Sequence, residues 1–247
     1  MKPIFKQILK YYLKYLTKLA LFFHRPMIII VSGNSNKYFI KEEIKKILLK
    51  KGFDVRANPK NFNTEIGLPL SILYLKSGYG CYTNWLPIIL SAPRAVFSEF
   101  PKILVLELGT SAPGDMKYLL SIVKPDISII YSITQRYLDG FPSLEKLIGE
   151  YEYLAKRTKN LLILNNDAEL VKNLQIGANC KKIFFGLEKG GDWQVKNIKK
   201  NNKGQGFEVY LNNKKYKDIQ INKFGEHHVC ASLIGLIIDK QFLNYAE

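Results

Sequence analysis

From position 27 onward, short unbroken apolar runs alternate with longer segments whose apolar residues recur every three or four positions. Met27 to Val31 (MIIIV) and Lys102 to Leu108 (KILVLEL) contain hardly a polar break, as strands covered on both faces do. Between them, IKEEIKKILLKKG places Ile40, Ile44 and Leu48 on one side of a helix that Gly52 ends. Phe53–Ala57 reads as a short second strand. The polar loop NPKNFNTEIGLP then leads into the apolar segment LSILYL. Further on, the pattern predicts a helix over Asp115–Val123, a strand in DISIIYSI, a helix over Ser143–Lys156, and strands in LLILNND and KKIFFG. Strand and helix in alternation predict an α/β fold, a mostly parallel sheet with flanking helices. After Gly190 the rhythm changes: DWQVKNI, GFEVYL and KDIQIN alternate by two and are split by NNKGQG and NNKK, which predicts C-terminal β-hairpins. A helix over Glu226–Asp239 closes the pattern.

Two segments stand apart. In residues 1–25, MKPIFKQILKYYLKYLTKLALFFHR, Lys6, Lys10, Lys14 and Lys18 recur every four positions and trace one slowly drifting stripe of an N-terminal amphipathic helix. The segment holds six basic residues and no acid, and lysines interrupt every apolar run, so it is neither a spanning helix nor a signal peptide. Two readings remain: a helix in an anionic membrane interface, or one packed on its own domain with solvated lysines. Residues 26–247 form the second unit. Within it, Cys81–Phe97, with Trp85, Pro87 and Pro93, fits no strand–helix unit; it reads as a loop folded on the core or as an insertion that meets membrane or partner.

Composition changes the picture only at the margins. Of the 247 residues, 47% are hydrophobic and 23% charged, which excludes wholesale disorder. The formal charge of +16 reflects a general abundance of lysine; no nucleic-acid motif accompanies it, and aromatics are not interleaved with the basic residues. Nucleic acid therefore ranks last among partners. Cys81, Cys180 and Cys230 are widely spaced and odd in number, which predicts free thiols in a reducing cytoplasm rather than a disulfide frame or zinc site.

The stretch that follows the first strand, SGNSNKYFIK (Ser32–Lys41), sets a glycine and a lysine between strand and helix. Only three residues separate Gly33 from Lys37, where a Walker loop continues through a second glycine. Asn36 stands in its place, and asparagine tolerates left-handed angles better than most residues. Taken alone, this is an ordinary strand–turn–helix junction.

The fragments NFNTEIGLP, LELGTSAPGDMKYL, VKPDIS, YLDGFPSLEKL, LILNND and GEHHV, in this order from about Met27 to Ile238, resemble the central domain of the Mur ligases. The resemblance implies a P-loop-type domain that uses ATP and Mg²⁺ to phosphorylate a substrate carboxylate, after which an amino group attacks the acyl phosphate. It implies a nucleotide loop made of Ser32, Gly33, Asn34, Ser35, Asn36, Lys37 and Tyr38, with Lys37 as a catalytic residue at the β/γ-phosphates. Glu107 becomes the catalytic metal ligand; its plainer reading is a strand-end carboxylate bonded to a loop. Asn165, Asp167 and His227 would meet the nucleotide. Asn61 and Asn63 would face an acceptor of the UDP-muramoyl peptide class, although both could equally shape a turn.

Several positions depart from the pattern. Tyr38 and Phe39 replace hydroxyl residues, Tyr137 a histidine, Tyr151 a lysine that is carbamoylated in the family, and His228 and Ala231 two asparagines. The metal site is thereby weakened. The N-terminal domain that grips the UDP-sugar is replaced by the basic helix, and the chain stops where the C-terminal domain would begin. Two functions follow: an ATP-binding ligase domain of peptidoglycan precursor synthesis, reduced in catalysis or dependent on partner domains, or a non-catalytic nucleotide-binding or scaffolding module. Either would sit in the cytoplasm, peripheral at the inner face of the membrane.

Overall fold

Along β1 (Met27–Ser32) the side chains of Ile28 and Ile30 point to one face of the sheet and those of Ile29 and Val31 to the other, and all four are buried. The computed structural model describes residues 3–59, 61–135, 138–177, 180–242 and 245. Around β1 the strands β2 (Val55–Ala57), β3 (Ile103–Leu108), β4 (Ile127–Ile130), β5 (Leu161–Asn165), β6 (Lys181–Gly186), β7 (Trp193–Asn201), β8 (Gly204–Leu211) and β9 (Lys214–Ile221) form one sheet in the order β2-β3-β1-β4-β5-β6-β7-β8-β9. Pairing is parallel from β2 to β7 and antiparallel through the two hairpins. The register sets Val31 opposite Glu107 and Ile29 opposite Ile127.

Helices cover both faces. On the Ile29/Val31 side lie α2 (Lys37–Lys50), through Ile40, Ile44 and Leu48, and a helix over Glu226–Gln241. On the Ile28/Ile30 side lie α3 (Gly67–Ile72), α5 (Asp115–Leu119), α6 (Leu144–Arg157) and α7 (Glu169–Lys172), which makes the C-terminal helix α8. Each fully buried Leu or Ile contributes roughly 1.5–3 kcal/mol, so the two apolar layers dominate stability. The Ser143 hydroxyl accepts from the Lys146 amide and caps α6.

A third, smaller apolar cluster holds α1 (Pro3–His24) to α3 and to α4 (Tyr82–Ala95). Leu9, Leu13 and Ala20 are buried in it, so α1 is packed on its domain along one face. Its other face, with Ile4, Ile8, Tyr15 and Phe22, is exposed. Among the described residues, no helix is long and apolar enough to cross a membrane.

The apolar run LSILYL contributes to helix α3, where Leu68, Leu70 and Ile72 wedge between the sheet and α1. The fold departs from the sequence pattern in two places. The helix expected over Asp115–Val123 ends as a helix at Leu119. The segment Cys81–Phe97 is not a loop but the helix α4, despite Pro87 and Pro93.

A proline inside a helix strips the carbonyl four residues back of its partner. For Pro93 that carbonyl is Ile89, and it accepts a 2.8 Å hydrogen bond from the Tyr12 hydroxyl of α1. Trp85, buried on the same helix, donates to the carbonyl of Tyr79 at 3.0 Å. Tyr12→Phe is therefore expected to cost about 1–3 kcal/mol by leaving the Ile89 carbonyl without a donor. Urea unfolding measures this; a change below about 0.5 kcal/mol would show that water replaces the hydroxyl.

Candidate functional site

Three loops at the carboxyl ends of β1, β2 and β3 converge, where open α/β sheets hold ligands. Together with α1 they enclose a cavity of about 640 Å³. Gly33, Asn34 and Lys37 line it from the first loop, Asn63, Thr64 and Glu65 from the second, Gly109, Thr110 and Ser111 from the third, and Lys6 and Lys10 from α1. Lys6 is bridged to Glu65 at 2.7 Å, and the Lys10 ammonium sits 3.9 Å over the Tyr118 ring.

The first loop is held by the chain after β4. The Asn34 amide donates to the Ser132 carbonyl at 2.9 Å, the Ser35 amide to the Ser132 hydroxyl at 3.3 Å, and Thr134 donates to the Asn34 side chain at 2.8 Å. Gly33 has φ +141°, and a Cβ there would lie 2.9 Å from the backbone nitrogen and oxygen of Ser132. Asn36 takes the left-handed conformation, φ 57° and ψ 5°, and so serves as a glycine would at the entry to α2. Ser32 is buried and donates to the Leu108 carbonyl at 3.2 Å, so it is structural.

Lys37 opens α2, and its ammonium reaches back across the loop to the Gly33 carbonyl at 2.6 Å. Burial lowers its pKa, and the charge of Glu107 opposes that shift. The cation, the loop and the amide end of α2 all face one hollow, an arrangement suited to phosphate.

Glu107 lies behind the loop, buried at the end of β3. Its Oε2 has no hydrogen-bond partner and stands 3.6 Å from the ammonium of Lys41, a lysine that is itself fully buried. Lys41 also donates to the Asn58 carbonyl, and the Asn58 side chain bonds the Glu107 backbone at both its amide, 2.8 Å, and its carbonyl, 3.0 Å. The carboxylate thus faces a resident cation.

The other positions that the resemblance assigned to a magnesium shell lie elsewhere. Tyr38 and Phe39 line a separate cavity of about 650 Å³ with His228 and Ala231, and the Phe39 ring packs 4.5 Å from His227. Tyr151 is a residue of α6 buried in the core, where burial raises its phenol pKa. Tyr137 lies outside the described residues. Among the described residues no group of three or more His, Cys, Asp or Glu could hold a metal ion. In this structure the Glu107 carboxylate is an ion-pair partner of Lys41, and its Oε2 has no hydrogen-bond partner; a magnesium ion held mainly by phosphates and water needs only one or two protein carboxylates.

The remaining expected contacts divide. Asn63 lines the main cavity; Asn61 does not, and with φ 68° and an exposed position it shapes the turn. The Asn165 side chain donates to the Tyr131 carbonyl at 3.0 Å and accepts from the Asp167 amide at 3.1 Å. Asp167 accepts from the amides of Leu187, Glu188 and Lys189, which fixes the loop after β6. Neither residue lines the main cavity, and His227 belongs to the aromatic group at the start of α8 with Phe39 and His228.

Lys41, Asn58 and Glu150 were not singled out by the sequence, and Lys6 and Lys10 were read only as part of the lysine stripe of the first helix. Glu150 accepts from the Gly114 and Met116 amides at 2.7 Å each and pins the third loop to α6. Lys41 had a signal: it adjoins Ile40 and precedes Ile44 and Leu48, on the buried side of its helix.

Residues 86–238 match the model of the Mur ligase middle domain. Two curated proteins, the UDP-N-acetylmuramoyl-tripeptide–D-alanyl-D-alanine ligases of Buchnera aphidicola subsp. Baizongia pistaciae and Haemophilus influenzae, are 26% and 25% identical over 211 and 215 residues. Each alignment covers 84% of this chain but only 38% and 41% of the relative, so the chain spans about two fifths of their length. Among solved structures, the MurF ligase of Thermotoga maritima in complex with ADP superposes with a TM-score of 0.74 at 22% identity, covering 94% of this chain and 49% of that one. MurC from the same organism gives a TM-score of 0.63 at 18% identity, covering 92% and 44%.

Proposed function

Because the chain belongs to the Mur ligase family through its middle domain, we propose that it is a nucleotide-binding domain of peptidoglycan precursor synthesis. It holds the phosphates of ATP or ADP at the Gly33–Lys37 loop and receives an anionic precursor of the UDP-muramoyl peptide class beside Asn63. The single observation that carries this reading is the convergence of Gly33, Asn34 and Lys37 on one cavity, with the Lys37 ammonium drawn back to the Gly33 carbonyl. The ADP complex of the Thermotoga maritima relative supports it. ATP-dependent ligation through an acyl phosphate is the activity that this site would serve with partner domains supplied. The chain acts in the cytoplasm, peripheral to the membrane, with an anionic lipid surface as its second partner.

A second reading, a non-catalytic nucleotide-binding or scaffolding module, is favoured by one observation: the Glu107 carboxylate already faces the fully buried Lys41 ammonium at 3.6 Å. Calorimetric titration with ADP and ATP, with and without magnesium, tests the common part. Binding is expected, and Lys37→Met should weaken it roughly tenfold to a hundredfold by removing a charge-assisted contact. An unchanged affinity would take the loop out of the proposal. Release of ADP in the presence of the tripeptide precursor, D-alanyl-D-alanine and partner domains separates ligase from module; binding without turnover selects the module.

A further inference from the structure

We propose that α1 and α4 together form a docking face for an anionic membrane surface, with both helices lying in the plane of the lipid headgroups. The idea widens the membrane partner named above from one helix to a two-helix platform, and it stands whether or not the loop binds nucleotide.

The two helices run side by side in the same direction. Phe5 meets Tyr82 at 5.2 Å between ring centroids, Tyr12 bonds Ile89, and Phe23 meets Phe97 at 5.5 Å. Their inner sides, with Leu9, Leu13, Trp85 and Ile88, are buried. On the outer side, Ile4, Ile8 and Phe22 of α1 and Leu86, Leu90 and Phe97 at α4 recur at helical spacing and are open to solvent, Ile4 by 76% and Leu90 by 72%. Isolated exposed apolar side chains are ordinary; two adjoining stripes of them are an interaction surface.

Charge selects the occupant. Residues 1–25 and 82–97 carry seven basic residues and no acidic one, although the chain has 21 acidic residues in all. A second copy of the same face would set these cations against each other. An anionic bilayer pairs with the exposed Lys18, Arg25 and Arg94 among them, and takes up the apolar stripes between headgroups and acyl chains. Neither helix can cross a membrane, so the contact is in-plane.

Flotation of the full chain with vesicles of phosphatidylcholine alone, and of phosphatidylcholine mixed with phosphatidylglycerol, tests the proposal. Binding to the mixed vesicles is expected, falling with salt. Leu86→Glu with Leu90→Glu, or Ile8→Glu with Phe22→Glu, should weaken it roughly tenfold or more, since each pair puts charge into the buried stripe. Lys18→Glu should weaken it at least roughly fivefold, the worth of one basic residue near an anionic surface. All five positions are exposed, so urea unfolding midpoints should hold; if one pair lowers the midpoint, the other pair and Lys18→Glu decide. ADP titration of the same variants should be unchanged, which separates this proposal from the nucleotide one. No binding to mixed vesicles, equal binding by wild type and variants, or a wild-type dimer in sedimentation that Leu86→Glu with Leu90→Glu dissolves would each overturn it.

Discussion

Replacing Lys41 with methionine is expected to lower the stability of the chain by about 3–5 kcal/mol, read from the urea unfolding midpoint. The substitution keeps the volume of the side chain and removes its charge. What remains is the Glu107 carboxylate, whose Oε2 has no hydrogen-bond partner and whose compensation comes from the ammonium 3.6 Å away. A carboxylate left alone in the interior is far costlier than a pair replaced outright. Lys41→Met combined with Glu107→Leu should therefore recover most of the loss, because an apolar pair of similar size is often neutral relative to a buried ion pair. A loss below about 1 kcal/mol for the single variant would mean that water reaches Glu107 and that Lys41 is not its principal partner. The Asn58 bonds add a second readout. Lys41 holds the Asn58 carbonyl, and Asn58 ties the second loop to β3, so that loop should also gain amide-exchange rate in the variant.

The second large effect is expected at Gly33. Gly33→Ala would force a Cβ to within 2.9 Å of two backbone atoms of Ser132 at φ +141°, a conformation an L-residue with a side chain rarely adopts. Neither atom belongs to a flexible side chain that could swing aside. The loop must move, at a cost of roughly 1–3 kcal/mol for the strained backbone. It carries with it the Asn34 and Ser35 amides and the carbonyl that receives Lys37. In a domain of this size each kcal/mol lowers the melting temperature by roughly 2–4 °C. ADP binding should fall by roughly a hundredfold or more, because the charge-assisted contacts depend on the loop and the lysine together. Wild-type affinity in this variant would show that phosphate binding, if it occurs, does not use this loop.

Much of the fold was legible because the informative strands are buried on both faces. β1 and β3 are apolar at every position except Ser32 and Glu107 near their carboxyl ends. The hairpins were equally clear, since their alternation and Asn/Gly turns leave few other structures open. α4 was not, because prolines weigh against a helix unless some distant group satisfies the stranded carbonyl; Tyr12, 77 residues away, does so. In the site, the stretch Ser32–Lys37 was found by its place between strand and helix, and Asn36 does adopt the left-handed angles that the missing glycine would have. Lys41 was overlooked because a lysine in a lysine-rich helix reads as solvated until its position on the buried side is counted. Asn165 and Asp167 were read as nucleotide contacts through the family resemblance, which does not reveal that Asp167 also accepts from three backbone amides of the loop after β6.

The Tyr12–Ile89 bond has a consequence for synthesis. α1 leaves the ribosome before α3 and α4, so Leu9 and Leu13 must wait for Leu70, Trp85 and Ile88. At about 5–20 residues per second, seventy-odd residues take roughly 4–15 s. For that interval the nascent helix has an uncovered apolar side as well as its lysines. Its first encounters are therefore with whatever lies near the exit tunnel, a chaperone or a lipid headgroup, before it ever touches its own fold.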